Sequence, residues 1–133
     1  MGIAADLSNY SLNLKYTDLP EKVVHEAKRA LLDSLGCAIA AYESETGVIV
    51  RNVIEAFETK GNATVIGSGK KTLPHYAALA NGVMLRYWDF NDSYHFPMGK
   101  MLSGSHPSEI IPTCLAVGES EGIDGKELLT SIV

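Results

Sequence analysis

The chain has 133 residues, 46% hydrophobic and 20% charged, with 12 Gly and 5 Pro, proportions that suit one globular domain with one modest core. A net charge of -5, with no Lys/Arg run beyond Lys70-Lys71, argues against a nucleic-acid-binding surface. No apolar run approaches the roughly 18–20 residues of a membrane span, and "MGIAADLSNYSLNL" lacks the basic start and apolar stretch of a signal peptide, so a cytoplasmic protein is expected.

Residues 3 to 14 read as a short amphipathic helix. A stronger helix follows in "TDLPEKVVHEAKRALLDSLGCAIAAY", where Asp18 can cap and Pro20 suits a first turn. Val23, Ala27, Leu31, Leu35, Ala38 and Tyr42 recur at helical spacing on its apolar stripe, and His25 falls on the solvated side. "VIVRNVIEAFETKGN" repeats the pattern, predicting Ile49, Val53, Ile54 and Phe57 inward and Gly61 as a stop. "ATVIGSGKK" reads as a brief extended piece with a turn. Thr72 and Pro74 open a small-residue helix, "TLPHYAALANGVMLRYWD", in which His75 occupies the first turn.

Residues 91 to 106 read as a long loop, after which Ser108 is placed to cap a helix that tolerates Pro112 near its first turn. Asp124 caps a last helix, "GKELLTSIV". The expected fold is all-α, with five to six helices and little strand. Cys37 and Cys114 have no paired spacing and read as small buried apolar residues.

Several motifs fail on inspection. In "TVIGSGKK" Thr64 stands where a phosphate-binding loop needs its first Gly, and Lys71 where it needs Ser or Thr. A calcium loop starting at Asp89 has Tyr94 at the glycine position and Lys100 at the bidentate acid. A zinc site on His95 and His106 lacks further ligands at credible spacing. No metal site is expected.

The chemistry concentrates in "YWDFNDSYHFPMGKMLSGSHPSE", Tyr87 to Glu109. Asp89 follows a helix, where the negative end of the macrodipole opposes a carboxylate, and His106 precedes one, where the positive end opposes an imidazolium. Groups placed against the local field in this way suit proton transfer near neutral pH. The helix expected at Ser108 would offer free N–H groups to a substrate carboxylate, with Lys100 and Arg86 adding positive charge. The bland alternative is turn chemistry at Asn91 and its neighbours, with His106-Pro107 as punctuation.

These residues resemble the MmgE/PrpD family of 2-methylcitrate dehydratases and cis-aconitate decarboxylases. The resemblance is carried by "LPEKVVHEAKRALLDSLGCAIAA", by "ALANG" ahead of "DFNDS", by "SHPSEIIPTCLAVGE" and by "GIDGKELLTSIV". It implies that residues 1–133 are the N-terminal part of a large helical domain, with an α/β domain inserted later in a longer homodimeric enzyme. It also implies catalysis without a metal or other cofactor.

Carried across residue by residue, the resemblance puts Asp89 and Ser93 of the D-F-[DN]-D-[ST] motif, and His106 of H-P-S, at the active site. His106 is the expected proton-transfer group and Asp89 its tuner. Ser93, Ser108, Asn91 and Lys100 are the expected substrate contacts. The implied substrate is a small di- or tricarboxylate, and "DFND" inclines the reading toward 2-methylcitrate dehydration, in propionate metabolism, over decarboxylation or epimerisation. The interval from Asp89 to His106 is longer than the family pattern, which marks "HFPMGKMLSG" as a lid or specificity insertion. Family members are several times longer, with further His, Lys and Tyr site residues beyond position 133. The chain is therefore expected to be an N-terminal fragment that is inactive alone, and a non-catalytic helical interaction module is the alternative of another class.

Overall fold

A computed structural model describes residues 2–98 and 101–133. Among them the chain forms six α-helices: α1 (Ile3–Asn13), α2 (Glu21–Ala40), α3 (Glu45–Ala56), α4 (Pro74–Arg86), α5 (Ile111–Glu121) and α6 (Gly125–Ile132). Two small antiparallel hairpins interrupt them, β1 (Ala63–Thr64) with β2 (Lys71–Thr72), and β3 (Tyr94–Met98) with β4 (Met101–Ser105). The architecture is mostly α, as expected.

Helix α4 is the hub, packing against α2, α3 and α5. Its Ala77, Ala80 and Asn81 are buried, and these short side chains let the neighbouring backbones approach closely. One core cluster joins Cys37, Ala38 and Ala41 from the end of α2 to Ile54, Val65, Ala80, Met84 and Leu85. A second joins Ala27 and Ala30 to Ile111, Leu129 and Ile132, so α6 closes on the first half of α2. None of the predicted α2 stripe is exposed, and His25 faces outward.

Three boundaries and one face differ from expectation. Asp18 does not cap α2; it ends a 3₁₀ turn and its carboxylate accepts the Lys15 N–H at 3.0 Å, leaving Pro20 at the helix entrance. In α3 only Ile54 of the four predicted residues is buried, and Ile49, Val53 and Phe57 are exposed. The buried face runs instead through Gly47, where a Cβ would stand 2.5 Å from the Ala41 carbonyl oxygen, so the missing side chain sets which face meets α2. Gly61 does not end α3, which stops at Ala56 with Phe57 as its C-cap.

The third boundary bears on the site. Tyr94–Met98 and Met101–Ser105, within the stretch expected as loop, pair antiparallel with Tyr94 opposite Ser105 and Met98 opposite Met101. Pro97 is tolerated because both strands of an isolated hairpin are edges, where a missing N–H costs little. Then Pro107–Glu109 forms a 3₁₀ turn, and α5 begins only at Ile111, with Ile110 rather than Ser108 at its N-cap. Asp124 caps α6 as expected, accepting the N–H groups of Lys126 at 2.8 Å and Glu127 at 2.9 Å.

Candidate functional site

The segment after α4 turns sharply. Asp89 adopts a left-handed φ of 54°, uncommon for a residue with a Cβ, and this ends the helical run. Its carboxylate projects outward, with its side chain 83% exposed and 3.8 Å from the Arg86 guanidinium. That ion pair partly offsets the unfavourable helix end, and its exposure keeps it weak.

Beyond Asp89 the backbone enters a small polar knot. Asn91 donates from Nδ2 to the Ser108 hydroxyl at 2.8 Å. Asp92 accepts the Ser108 N–H on Oδ1 at 3.2 Å and donates its own N–H to Asp33 Oδ2 on α2, also at 3.2 Å. The His106 Nδ1 lies 2.6 Å from the Asp92 carbonyl oxygen. A carbonyl can only accept, so Nδ1 carries a proton, and in the neutral ring the lone pair is then on Nε2.

Asn91, Ser108 and His106 are thus brought together, with Asp92 and Asp33 as two further members. Ser93 lies at the exposed edge of the same segment. Asp89 is directed to Arg86 and solvent, and Lys100 falls outside the described residues. Ser108 is fully buried, with its N–H taken by Asp92. The free helix N-terminus expected beside His106 is therefore not formed, because the 3₁₀ turn intervenes before α5.

Asp33 and Asp92 set the local electrostatics. Arg29, Asp33 and Cys37 follow one another at four-residue intervals, which places them on one face of α2. Burial first, and then the negative charges of Asp33 and Asp92, push the Cys37 thiol up, so this cysteine is a core residue and no nucleophile. Asp92 Oδ2, Asn91 Oδ1 and Arg86 Nη1 are buried without hydrogen-bond partners among the described residues. Such atoms cost free energy and mark a place whose polar capacity exceeds its internal use.

Sequence reasoning missed Asp33 and Asp92. Asp92 was within view as the second acid of the D-F-[DN]-D pattern. Asp33 carried no signal, because its partner lies 59 residues away.

Several depressions of the surface lie elsewhere. One of about 830 Å³ lies between α1 and α6, lined by Tyr10, Tyr16, Lys126 and Val133 among others. Another of about 260 Å³, beside Arg51, Lys70 and Lys71, is closed in by Glu55 and Glu58. Neither includes Asn91, Asp92 or His106.

Comparison with known proteins bears on this geometry. The MmgE/PrpD N-terminal domain matches residues 5–133. The cis-aconitate decarboxylase-like protein oryM of Aspergillus oryzae is 30% identical over 93 residues, covering 70% of this chain and 19% of its own length. Human cis-aconitate decarboxylase is 30% identical over 109 residues, 80% of this chain and 21% of its own. The cis-aconitate decarboxylase of Aspergillus terreus is 30% identical over 94 residues, 71% and 19% respectively. The chain spans about a fifth of the length of these curated relatives. With the family match running through nearly all of its described residues, helices and polar knot alike, the chain belongs to the MmgE/PrpD family, which includes lyases such as cis-aconitate decarboxylase.

Proposed function

We propose that the protein to which this chain contributes is a lyase acting on a small di- or tricarboxylate through acid–base groups of the protein itself. The observation that carries the reading is His106, held by its Nδ1–H on the Asp92 carbonyl with the Nε2 lone pair left to take a proton. In the dehydration of 2-methylcitrate, a base removes the proton on the carbon α to a carboxylate. The electron pair forms the alkene as the hydroxyl leaves with a proton, as water. His106 is one of the proton-transfer groups, Asp89 tunes the local charge, and Ser93 meets the substrate from the exposed edge. Asn91 and Ser108, bonded to each other, support the loop that carries His106.

Decarboxylation of cis-aconitate is the second reading, favoured by the names of the matched relatives. There CO₂ departs and a proton is delivered to carbon, which the same imidazole serves in its protonated form.

The one-fifth coverage supports an active site completed by residues of a longer protein, assembled as a homodimer. Incubation of the full-length protein with 2-methylcitrate, followed by the absorbance of the new alkene, and with cis-aconitate, followed by CO₂ release, tests the reading. Turnover of either supports a lyase and decides between the two reactions. A folded full-length protein inert to both would place the chain with non-catalytic helical modules.

A further inference from the structure

Asp33 lies on the second helix, outside every motif of the polar segment, yet its carboxylate reaches that segment. It accepts the N–H of Asp92 at 3.2 Å. The carbonyl of Asp92, one peptide unit further on, receives the His106 ring at 2.6 Å, and the Asp92 side chain takes the Ser108 N–H at 3.2 Å. Residue 92 is thus pinned on its N–H side by Asp33 and through its side chain by Ser108. The Asp33 bond fixes the peptide plane before residue 92 and the Ser108 bond fixes its side chain, so φ is restrained and the carbonyl, held by His106, is left only the ψ rotation. Without the Asp33 pin the peptide plane before residue 92 is released and φ with it, so the carbonyl loses the restraint that keeps it on the His106 ring.

We propose that Asp33 is a positioning residue: through the Asp92 peptide it holds His106 in the Nδ1–H tautomer, with Nε2 as the basic atom. Its functional meaning rests on the reading of His106 as a proton-transfer group. A merely structural Asp33, tying α2 to the segment after α4, would influence stability and leave the ring's tautomer alone. The required group is an acceptor at that position rather than a charge. Asp33→Asn retains an amide oxygen for the Asp92 N–H, whereas Asp33→Ala does not.

The test is long-range ¹H–¹⁵N NMR of the imidazoles in the full-length protein, at a pH where the histidines are neutral, with the His106 signals identified by their loss in His106→Gln. Nitrogen shifts distinguish a protonated from an unprotonated ring nitrogen directly. The expected result is Nδ1–H with unprotonated Nε2 in the parent and in Asp33→Asn, and a shift toward Nε2–H or a tautomer mixture in Asp33→Ala. If Asp33→Ala does not fold, Asp33→Ser, whose hydroxyl is too short to span the distance, is read in its place.

Turnover of whichever substrate is processed should follow the tautomer, with kcat reduced about tenfold or more in Asp33→Ala, near parental in Asp33→Asn, and KM little changed. The proposal is overturned if parental His106 carries its proton on Nε2. It is also overturned if folded Asp33→Ala keeps the Nδ1–H pattern, or if folded Asp33→Asn loses it. Because the spectra need no substrate, an inert protein with the predicted tautomers sinks the lyase reading and leaves the positioning intact. An active protein with the wrong tautomers does the reverse.

Discussion

Replacing Asn81 by alanine should destabilise the fold well beyond a typical surface change. Asn81 is 1% exposed and bridges α4 to the β1 turn. Its Oδ1 accepts the Ile66 N–H at 2.9 Å, and its Nδ2 donates to the Thr64 carbonyl at 3.0 Å. Truncation leaves a partly buried donor and a partly buried acceptor without partners, at about 1–1.5 kcal/mol each given their incomplete burial. Lost packing of the amide brings the expected cost to roughly 2–3 kcal/mol. With a urea m-value near 1.5–2 kcal/mol/M, the midpoint falls by about 1–2 M at unchanged m. Far-UV circular dichroism against urea reads this directly. Asn81→Asp keeps the acceptor for Ile66 but sets a carboxylate oxygen against the Thr64 carbonyl, so it should also destabilise. A midpoint within about 0.3 M of the parent for Asn81→Ala would refute the bridge as a stabilising contact.

Other consequences are equally measurable. Met84 is fully buried in the cluster between α2, α3 and α4, and Met84→Ala should cost about 2–5 kcal/mol in the same urea titration. At Gly61 an added Cβ would overlap the Thr72 carbonyl, a backbone atom that cannot step aside, so Gly61→Ala should lower stability by roughly 1–3 kcal/mol. Burial raises the Glu119 carboxyl, but hydrogen bonds from the Thr64 hydroxyl, Lys71 and the Thr64 N–H outweigh it and hold the group below its usual 4.5. A lowered folded-state pKa stabilises the fold in full above the unfolded value, and the contribution is lost as pH falls through the folded one. Urea midpoints measured from pH 6 down to pH 3 should therefore fall less steeply in Glu119→Gln than in the parent.

How far the molecule was legible in its sequence depended on whether the deciding contact was local. Helix α2 was legible because a 20-residue amphipathic pattern constrains one face many times over. The cap of α6 was legible because Asp124 and Glu127 meet within one turn. The inward face of α3 was not, because Ile49, Val53 and Phe57 are as apolar as the buried Ile54, and the choice fell to a glycine that lets the backbone approach Ala41. The hairpin of Tyr94–Met98 with Met101–Ser105 was masked by Pro97 and Gly104, both unfavourable within a strand.

The candidate site shows the same division. His106, Asn91 and Ser108 were named from the motif, and the geometry brings them together. Their connection through Asp92 and Asp33 was beyond pattern reading, since it joins a backbone amide to a carboxylate 59 residues earlier. Ser108 was assigned to a helix cap on residue type. Tertiary contact with Asn91 and Asp92 decided otherwise, and a 3₁₀ turn moved the start of α5 to Ile111.

The central claim, that His106 transfers protons in a lyase reaction, is tested most directly by turnover of 2-methylcitrate and cis-aconitate by the full-length protein carrying His106→Ala, with folding checked by circular dichroism. The account predicts a loss of about a hundredfold or more in kcat for the substrate that the parent processes. A folded variant that turns over that substrate at the parental rate would contradict it.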